Sequence, residues 1–384
     1  MNPSFDVLVV GGGPAGSAVA RTMASKGYRT GVLEEHASSG VPTQCAGLVT
    51  DEVIRTSGVS PRIYNTLYGA EVVFPDGESI EVRSASPKAR VVDRADLDRL
   101  MAEAAADSGA EFFYGDRYAS HSVSGDGASV RSASGERLCR AVVGADGHTS
   151  AVARSMGAGP VREYVRGIQM DLPVAADRQD VFRIRIGRKY APGFFSWEIP
   201  CGDFTRVGLC TSWSEGPPYE YLKALVDDLY PGAKPAAKHC GKIPLGGRGL
   251  TYGDRCLLIG DAAVQVKPVS GGGLYPALRA APMLSDVLSS ALDSDDLSAK
   301  RLSRYERMWR KDFGKSLDRA YRLRRMYVRF SDEKLSRAGA FACRDDVHAV
   351  LNDIDLDDPG KVVGRLMRSS ALVPGLLLLA RCLL

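Results

Sequence analysis

The stretch FDVLVVGGGPAGSAVARTMASKGYRTGVLEE, residues 5–35, predicts a strand, a glycine-rich loop, a helix and a second strand in that order. Residues 7–10 form an unbroken apolar run, as a parallel strand buried on both faces requires. Small and apolar residues then recur at helical spacing over 15–23, and the second strand ends at Glu34. The stretch therefore predicts a βαβ unit of a Rossmann-like α/β fold.

The loop between the first strand and the helix has the spacing of a dinucleotide-binding loop, because Gly11, Gly13 and Gly16 fit G-x-G-x-x-G. Gly11 and Gly13 would let the backbone approach a pyrophosphate, and Gly16 would let helix and strand pack closely. The helix that starts at Pro14 and Ala15 would turn its unpaired N–H groups toward that pyrophosphate. Glu34 follows at about 20 residues, where a carboxylate would bind ribose hydroxyls. These features predict a bound dinucleotide without separating NAD from FAD.

Two later segments each place an aspartate at the end of a buried strand. VVGADGHTSAVAR, residues 142–154, ends its strand before Asp146 and continues into a helix. LLIGDAAVQVKPVSGGGLYPAL, residues 257–278, ends its strand at Gly260 and Asp261 and opens a helix after three glycines. Each segment alone predicts little more than a turn.

In this order, the three segments resemble the FAD-binding set of the aromatic hydroxylase-type flavoproteins. The resemblance implies FAD as the cofactor, with Asp261 bonding a ribityl hydroxyl. It also implies that the helix start at Gly271, Gly272 and Gly273 faces the pyrimidine end of the flavin, where negative charge builds on reduction. Arg94, in VVDRADLD, matches an arginine near the FAD; a surface charge at a helix start is its alternative interpretation.

Composition is that of a globular protein with more than one packed unit. The chain has 384 residues, 45% of them hydrophobic and 25% charged, and the net charge of +4 is too small to indicate nucleic-acid binding. The start MNPSFDVLVV lacks a signal-peptide pattern, and the apolar stretch ALVPGLLLLARCLL, residues 371–384, is too short to span a bilayer. We expect a cytoplasmic protein.

Changes in the sequence pattern along the chain predict three parts. Residues 1–60, 85–155 and 250–295 would form a discontinuous FAD-binding domain, and residues 61–84 and 156–249 an inserted antiparallel sheet that binds substrate. The hairpin around Asp76 and Gly77 is assigned to that sheet. From 296 to 384 the pattern is helical and rich in Arg, Leu and Met.

Eight cysteines occur, with no C-x-x-C pair and no metal-ligand spacing, so reduced thiols are expected and no metal site is predicted. Cys45 stands apart from the other seven because it follows the predicted dinucleotide site directly, in VPTQCAGLV, residues 41–49. Inert packing and a role beside the cofactor both remain open for it.

Three segments resemble the geranylgeranyl reductase family, especially its archaeal members that act on membrane-lipid precursors. They are GVPTQCAGLV (40–49), APGFFSWEIP (191–200) and GDAAVQVKPVSGGG (260–273). The resemblance implies that Cys45, Ala46 and Gly47 match a Cys-(Gly/Ala)-Gly element beside the flavin, with Cys45 and Gly47 as catalytic candidates. It also implies an isoprenoid pocket lined by a Tyr-x-Trp-x-Phe-Pro element. Here the corresponding residues are Phe195, Trp197, Ile199 and Pro200, preceded by Phe194, so one hydroxyl is lost.

The implied activity is saturation of the double bonds of geranylgeranyl chains in a prenylated glycerolipid, by hydride transfer from reduced flavin. Because the chain has no second G-x-G-x-x-G loop, an external donor is expected: ferredoxin, a reduced deazaflavin or NAD(P)H. A lipid substrate also implies peripheral contact with the inner face of the membrane, for which the basic C-terminal helices are candidates. Two alternatives stay open: an FAD-dependent monooxygenase or halogenase of the same fold, and a non-catalytic flavin- or lipid-binding protein.

Overall fold

The computed structural model describes residues 3–352 and Asp357. The predicted C-terminal helical region is thus described as far as residue 352. The predicted apolar stretch 371–384 lies outside the described residues.

A largely parallel sheet carries the N-terminal βαβ unit, in the strand order β17-β18-β11-β1-β2-β8, with a hairpin that extends β11. Its strands are β1 (Phe5–Val10), β2 (Thr30–Glu34), β8 (Glu111–Tyr114), β9 (Tyr118–Ser124), β10 (Gly127–Ser132), β11 (Gly135–Gly144), β17 (Tyr252–Gly253) and β18 (Cys256–Leu258). Strand β1 pairs in parallel with β2 on one side and with β11 on the other. The βαβ prediction is confirmed.

Ten α-helices lie in the described part of the chain. They are α1 (Pro14–Ser25), α2 (Asp51–Ser57), α3 (Arg94–Asp107), α4 (Ala151–Ser155), α5 (Pro218–Leu229), α6 (Leu274–Asp293), α7 (Ala299–Trp309), α8 (Lys315–Tyr327), α9 (Asp332–Ala342) and α10 (Asp345–Leu351). A π-helical turn, Arg310–Gly314, joins α7 to α8. The helical pattern predicted from residue 296 onward is therefore confirmed as far as the structure describes it, and none of the described helices is long and apolar enough to cross a membrane.

The unbroken apolar run of β1 reflects burial on both faces of the parallel sheet. Val7 and Val9 pack in a core formed with α1, α6 and α7. Leu8 and Val10 pack on the opposite face, against the β9–β11 meander and α4. Successive residues of a strand point to opposite faces, so a strand covered on both sides must be apolar throughout.

A second sheet has seven strands in the order β16-β12-β15-β14-β13-β5-β6. They are β5 (Gly69–Val73), β6 (Ser79–Arg83), β12 (Glu163–Leu172), β13 (Val181–Ile186), β14 (Phe195–Pro200), β15 (Thr205–Ser212) and β16 (Ala237–Leu245). The early hairpin β5–β6 joins this sheet, as its assignment predicted. The expectation of a wholly antiparallel sheet is wrong at one ladder, because β5 pairs with β13 in parallel.

A short third sheet has three strands. It consists of β3 (Leu48–Val49), β4 (Ile63–Leu67) and β7 (Ala89–Val92), in the order β3-β7-β4. Strand β4 belongs to the predicted substrate domain and β7 to the predicted FAD-binding domain. The exact domain boundaries stay a prediction.

The parallel sheet sets the position of the functional loops. Strand β1 pairs in parallel with β2 and with β11, and β11 pairs in parallel with β18. The carboxyl ends of these four strands therefore share one edge of the sheet. The loops after these strands carry Gly11, Asp146 and Asp261. Ligands of open α/β sheets bind at this edge.

Candidate active site

A cavity of about 690 Å³ lies at the carboxyl edge of the parallel sheet and extends to one face of the seven-stranded sheet. Its walls include most of the residues selected from the sequence. They are Gly11, Gly13, Pro14, Ala15, Glu34, Cys45, Ala46, Arg94, Asp146, Gly260, Asp261, Gly271, Gly272, Gly273, Phe194, Phe195, Trp197 and Ile199. Gly16, Gly47 and Pro200 are not among the lining residues. Residues predicted to bind cofactor and residues predicted to bind substrate therefore share one space.

The glycine loop leaves room for a ligand at the start of α1. Gly11 has φ +104°, and a Cβ there would lie 2.3 Å from the carbonyl oxygen of Ala145. A Cβ on Gly13 would meet no atom within 4 Å, so the space above it is open. Gly13 caps α1 without a side-chain hydrogen bond, which leaves the first N–H groups of the helix available to an anion. Gly16 plays the packing role predicted for it, since a Cβ there would lie 1.9 Å from the Gly11 carbonyl oxygen.

Glu34 ends β2 with its carboxylate in the cavity wall. One oxygen accepts a 2.8 Å hydrogen bond from the Gly12 backbone N–H. The other accepts a 2.9 Å bond from the His36 N–H and lies 2.7 Å from His36 Nδ1. The carboxylate is thus held in place next to the glycine loop, where ribose hydroxyls would reach it.

Asp261 is a cavity carboxylate for which the described residues provide no hydrogen-bond partner. Burial raises the pKa of Asp261 from 3.8 to about 6, and Arg94 offsets part of that rise. A Cβ on Gly273 would lie 2.8 Å from its Oδ1, so the glycines at the start of α6 leave space beside it. The Asp261 side chain is partly exposed to the cavity, where a ligand hydroxyl would donate a hydrogen bond to it.

A buried side-chain amide, that of Gln265, holds the loop that carries Asp261. Gln265 accepts a 2.9 Å hydrogen bond from the Gly260 N–H and donates a 2.8 Å bond to the Tyr305 hydroxyl on α7. Gln265 and Tyr305 are both 0% exposed. Asp146, on the neighbouring loop, accepts from the Ser150 hydroxyl and from the Val152 N–H, and so caps α4 while lining the cavity.

Arg94 is buried rather than on the surface, so its alternative interpretation as an exposed charge at a helix start is wrong. Its guanidinium pairs with Asp98 one turn along α3, at 2.8 and 3.0 Å, and the two side chains are 10% and 13% exposed. Burial opposes the Arg94 charge, but Asp98 and the Cys45 sulfur outweigh it and raise the pKa of Arg94. Burial raises the pKa of Asp98 and Arg94 counteracts it. Asp98 was not predicted from the sequence, although its i,i+4 spacing from Arg94 is a signal for such a pair.

The Cys45 loop is held by side chains from the seven-stranded sheet. Gln169 donates a 3.1 Å hydrogen bond to the Cys45 carbonyl, and Arg206 donates a 2.9 Å bond to the Ala46 carbonyl. Arg206 is itself fixed by Asp171 at 2.7 and 2.9 Å. Gln169 and Arg206 were not selected from the sequence, and no local motif marks them.

Gly47 lies behind Cys45 rather than in the cavity, which corrects its selection as a catalytic residue. Its φ is +78°, and a Cβ there would lie 2.5 Å from the Val92 carbonyl oxygen. Only glycine accommodates both constraints readily. Gly47 therefore shapes the turn that presents Cys45, and its N–H lies 3.5 Å from the Cys45 sulfur.

The apolar wall of the cavity comes from alternate residues of β14. Phe195, Trp197 and Ile199 are two residues apart, so their side chains share one face of the sheet. Phe194, just before the strand, stacks on Phe195 with ring centroids 4.5 Å apart. By the same alternation Pro200 falls on the other face and does not line the cavity, which corrects its selection as a substrate residue. It shares the opposite face with Glu198, whose carboxylate pairs with Arg183 and Arg185.

The parallel sheet, the dinucleotide cradle and the unpartnered Asp261 together define an FAD-dependent flavoprotein. A family model described as FAD binding domain matches residues 4–194, and FAD is the cofactor. The open space at Gly13, the free N–H groups of α1 and the unsatisfied Asp261 carboxylate fit that group.

Comparison with curated proteins identifies the family within this class. The chain is 30% identical over 366 residues to digeranylgeranylglycerophospholipid reductase 2 of Methanopyrus kandleri, covering 89% of this chain and 91% of the relative. It therefore belongs to the digeranylgeranylglycerophospholipid reductase family.

Solved structures show the same fold. A geranylgeranyl bacteriochlorophyll reductase-like protein from Thermoplasma acidophilum matches with a TM-score of 0.82 and 21% identity, covering 95% of this chain and 98% of that one. A flavin-dependent brominase matches with a TM-score of 0.71 and 17% identity, covering 95% and 98%. The fold is thus shared by reductases and halogenases, and the site must distinguish them.

Proposed function

We propose that this enzyme saturates the carbon–carbon double bonds of geranylgeranyl chains in archaeal membrane-lipid precursors. The observation that carries the proposal is the single cavity that joins the FAD cradle to the apolar wall of β14. An elongated apolar chain along Phe195, Trp197 and Ile199 would thereby reach the cofactor. The family supports the same substrate class, since its Methanopyrus kandleri member is named for that lipid.

The chemistry requires a hydride at one carbon of an isolated alkene and a proton at the other. FAD, bound in its reduced form, supplies the hydride. An unactivated alkene reacts slowly, so orientation of the chain and exclusion of water must lower much of the barrier. The aromatic wall contributes both, because it is rigid and offers few polar groups to water.

Cys45 is the residue of this chain that we propose controls delivery of the proton to the second alkene carbon. Its thiol lies in the cavity wall, between the FAD cradle and the substrate sheet. The hydrogen bonds from Gln169 and Arg206 to the Cys45 and Ala46 carbonyls fix its position. Inert packing of this side chain remains the competing interpretation, and the Cys45→Ala variant discussed below separates the two.

The cofactor contacts are proposed residue by residue. Gly11, Gly13, Pro14 and Ala15 would hold the pyrophosphate, and Glu34 the adenosine ribose. Asp261 would accept from a ribityl hydroxyl, and Gly271 to Gly273 would approach the flavin ring. Arg94, fixed by Asp98, and Asp146 would complete the wall around the cofactor.

The electrons come, in this proposal, from an external donor: ferredoxin, a reduced deazaflavin or NAD(P)H. The enzyme would act in the cytoplasm and contact the inner face of the membrane to reach its lipid. The monooxygenase and halogenase alternatives share the fold. A halogenase would be expected to carry Trp-x-Trp-x-Ile-Pro, whereas here FSWEIP keeps only Trp197 of the two tryptophans.

An anaerobic single-turnover experiment tests the function. The FAD-loaded protein is reduced with dithionite and mixed with a geranylgeranyl glycerolipid, and flavin absorbance and product mass are followed together. We expect reoxidation of the flavin with a gain of two hydrogens per double bond. If the flavin stays reduced until air enters and the lipid is unchanged, the reductase proposal fails and the monooxygenase alternative takes its place.

A further inference from the structure

We infer that an aromatic and basic patch beside the cavity docks on an anionic lipid surface. The patch consists of Trp213, Tyr219, Arg166, Lys238 and Lys242, and is called the rim patch below. It lies along β16, which is the edge strand of the seven-stranded sheet.

The rim patch leaves two large aromatic side chains in solvent. Trp213, in the turn after β15, is 48% exposed, and Tyr219, in the first turn of α5, is 40% exposed. Exposed aromatic rings with a polar atom suit the boundary between headgroups and acyl chains, where one side is apolar and the other wet.

Three cations surround these rings. The Arg166 guanidinium lies 3.8 Å and the Lys242 ammonium 5.0 Å from the Trp213 ring centroid. The Lys238 ammonium lies 5.3 Å from the Tyr219 ring centroid. Arg166 on β12 is directly opposite Lys242 on β16, and Lys238 follows the same face of β16.

The charge of the rim patch is not neutralised by described carboxylates. Arg166, Lys238 and Lys242 form no ion pair within the described residues, whereas nearby Glu215 is already engaged by Arg188. The cations therefore complement an anionic surface. Each lysine that reaches such a surface raises the affinity for it about fivefold.

The rim patch meets the cavity at the edge strand β16. Residues 239–243 border the cavity, with His239, Gly241 and Ile243 on the sheet face of Trp197 and Gln169, and Lys242 on the opposite face at the margin of the cavity. Burial lowers the pKa of His148, another residue of the cavity wall, and the Lys242 charge lowers it further. A membrane docked here would lie at the edge of the cavity, so that a lipid chain would reach the cavity around β16, a consequence that rests on the proposed function. These observations favour a lipid surface over an acidic protein partner.

Vesicle binding by the FAD-loaded full-length chain tests the inference. Sedimentation is measured with vesicles of phosphatidylglycerol and phosphatidylcholine, and with phosphatidylcholine alone, for the wild type, Lys238→Gln/Lys242→Gln and Trp213→Ala. The control is Lys26→Gln/Lys300→Gln, which removes two charges at the end of α1 and the start of α7, two helices that pack on the parallel sheet, although Lys26 is paired with Asp286. Circular dichroism and flavin absorbance establish that each variant is folded.

We expect the wild type to bind only the anionic vesicles, and the rim double variant to bind about 25-fold more weakly. Trp213→Ala should also weaken binding, and the control should bind like the wild type. Wild-type protein that ignores anionic vesicles, or a rim variant that binds like the control, overturns the inference. A rim variant that keeps vesicle binding but loses reduction by ferredoxin would assign the patch to an acidic electron donor instead. Turnover of lipid dispersed in detergent reports on the proposed function separately, because it needs no vesicle.

Discussion

The indole of Trp197 occupies the space that a side chain at position 208 would need. The two residues are direct partners in the β14–β15 ladder, and a Cβ on Gly208 would lie 2.5 Å from the indole Cε2 and 2.6 Å from Gln169 Cβ. Because residue 208 has no side chain, Trp197 can lie against the sheet and form part of the apolar wall of the cavity.

Gly208→Ala should displace Trp197 and reshape the apolar wall. We expect the free energy of unfolding to fall by about 1–3 kcal/mol and the KM for the lipid to rise, because overpacking forces the indole out of position. FAD binding should be retained, since Gly208 does not line the cofactor end. Steady-state kinetics and denaturant unfolding check both effects. Gly125→Ala, at a position where a Cβ meets no neighbour, is the control, and equal behaviour of the two variants would contradict the prediction.

Asp98→Asn should leave the buried Arg94 charge without its partner. We expect a loss of about 3 kcal/mol in the free energy of unfolding, because removing one member of a buried pair strands the other. Denaturant unfolding of the FAD-loaded protein measures it. On the same helix, Glu103→Gln breaks the exposed pair with Arg99 and should cost at most about 0.5 kcal/mol. A similar small cost for both variants would show that Arg94 does not depend on Asp98.

Asp261→Asn should stabilise the apoprotein at neutral pH and weaken FAD binding. Because burial raises the pKa of Asp261 to about 6, the folded apoprotein holds a proton that the unfolded chain has lost between about pH 4 and 6. The stability contributed by this group therefore falls as pH rises through that window, and removing the charge reverses the loss above it.

Melting temperatures of the two apoproteins should accordingly differ at pH 7 and converge below about pH 4. Asp126→Asn, which removes a carboxylate in an exposed turn, is the control variant. FAD should bind about tenfold more weakly to Asp261→Asn, because a charge-assisted hydrogen bond is replaced by a neutral one. A variant with unchanged FAD affinity would remove Asp261 from the cofactor site.

Cys45→Ala should separate a chemical role of the thiol from packing. If Cys45 controls delivery of the proton to the alkene, single-turnover reduction of the lipid should slow by at least about 100-fold in the variant, while the flavin spectrum is unchanged. Cys343→Ala, which removes an exposed thiol, should have no effect. Wild-type rates and product distribution in Cys45→Ala would support the packing interpretation.

Local patterns in the sequence were enough to predict the cofactor half of the molecule. The apolar run 7–10, the spacing of Gly11, Gly13 and Gly16, and the carboxylate at Glu34 are all set within about 30 residues, the span of one βαβ unit. The period of two in β14 also contained the information that Pro200 faces away from Phe195 and Trp197. The sequence alone thus contained a signal against Pro200 as a substrate residue.

Only the tertiary structure decided which residues support the site. Gln169 and Arg206 reach the Cys45 loop across 124 and 160 residues of sequence, and Gly208 meets Trp197 only through the pairing of β14 with β15. Burial of the Arg94–Asp98 pair likewise depends on what covers α3, not on α3 itself. The physical reason is that propensity and periodicity act between near neighbours in the chain, whereas hydrogen bonds, burial and close packing join residues that only the folded sheets bring together.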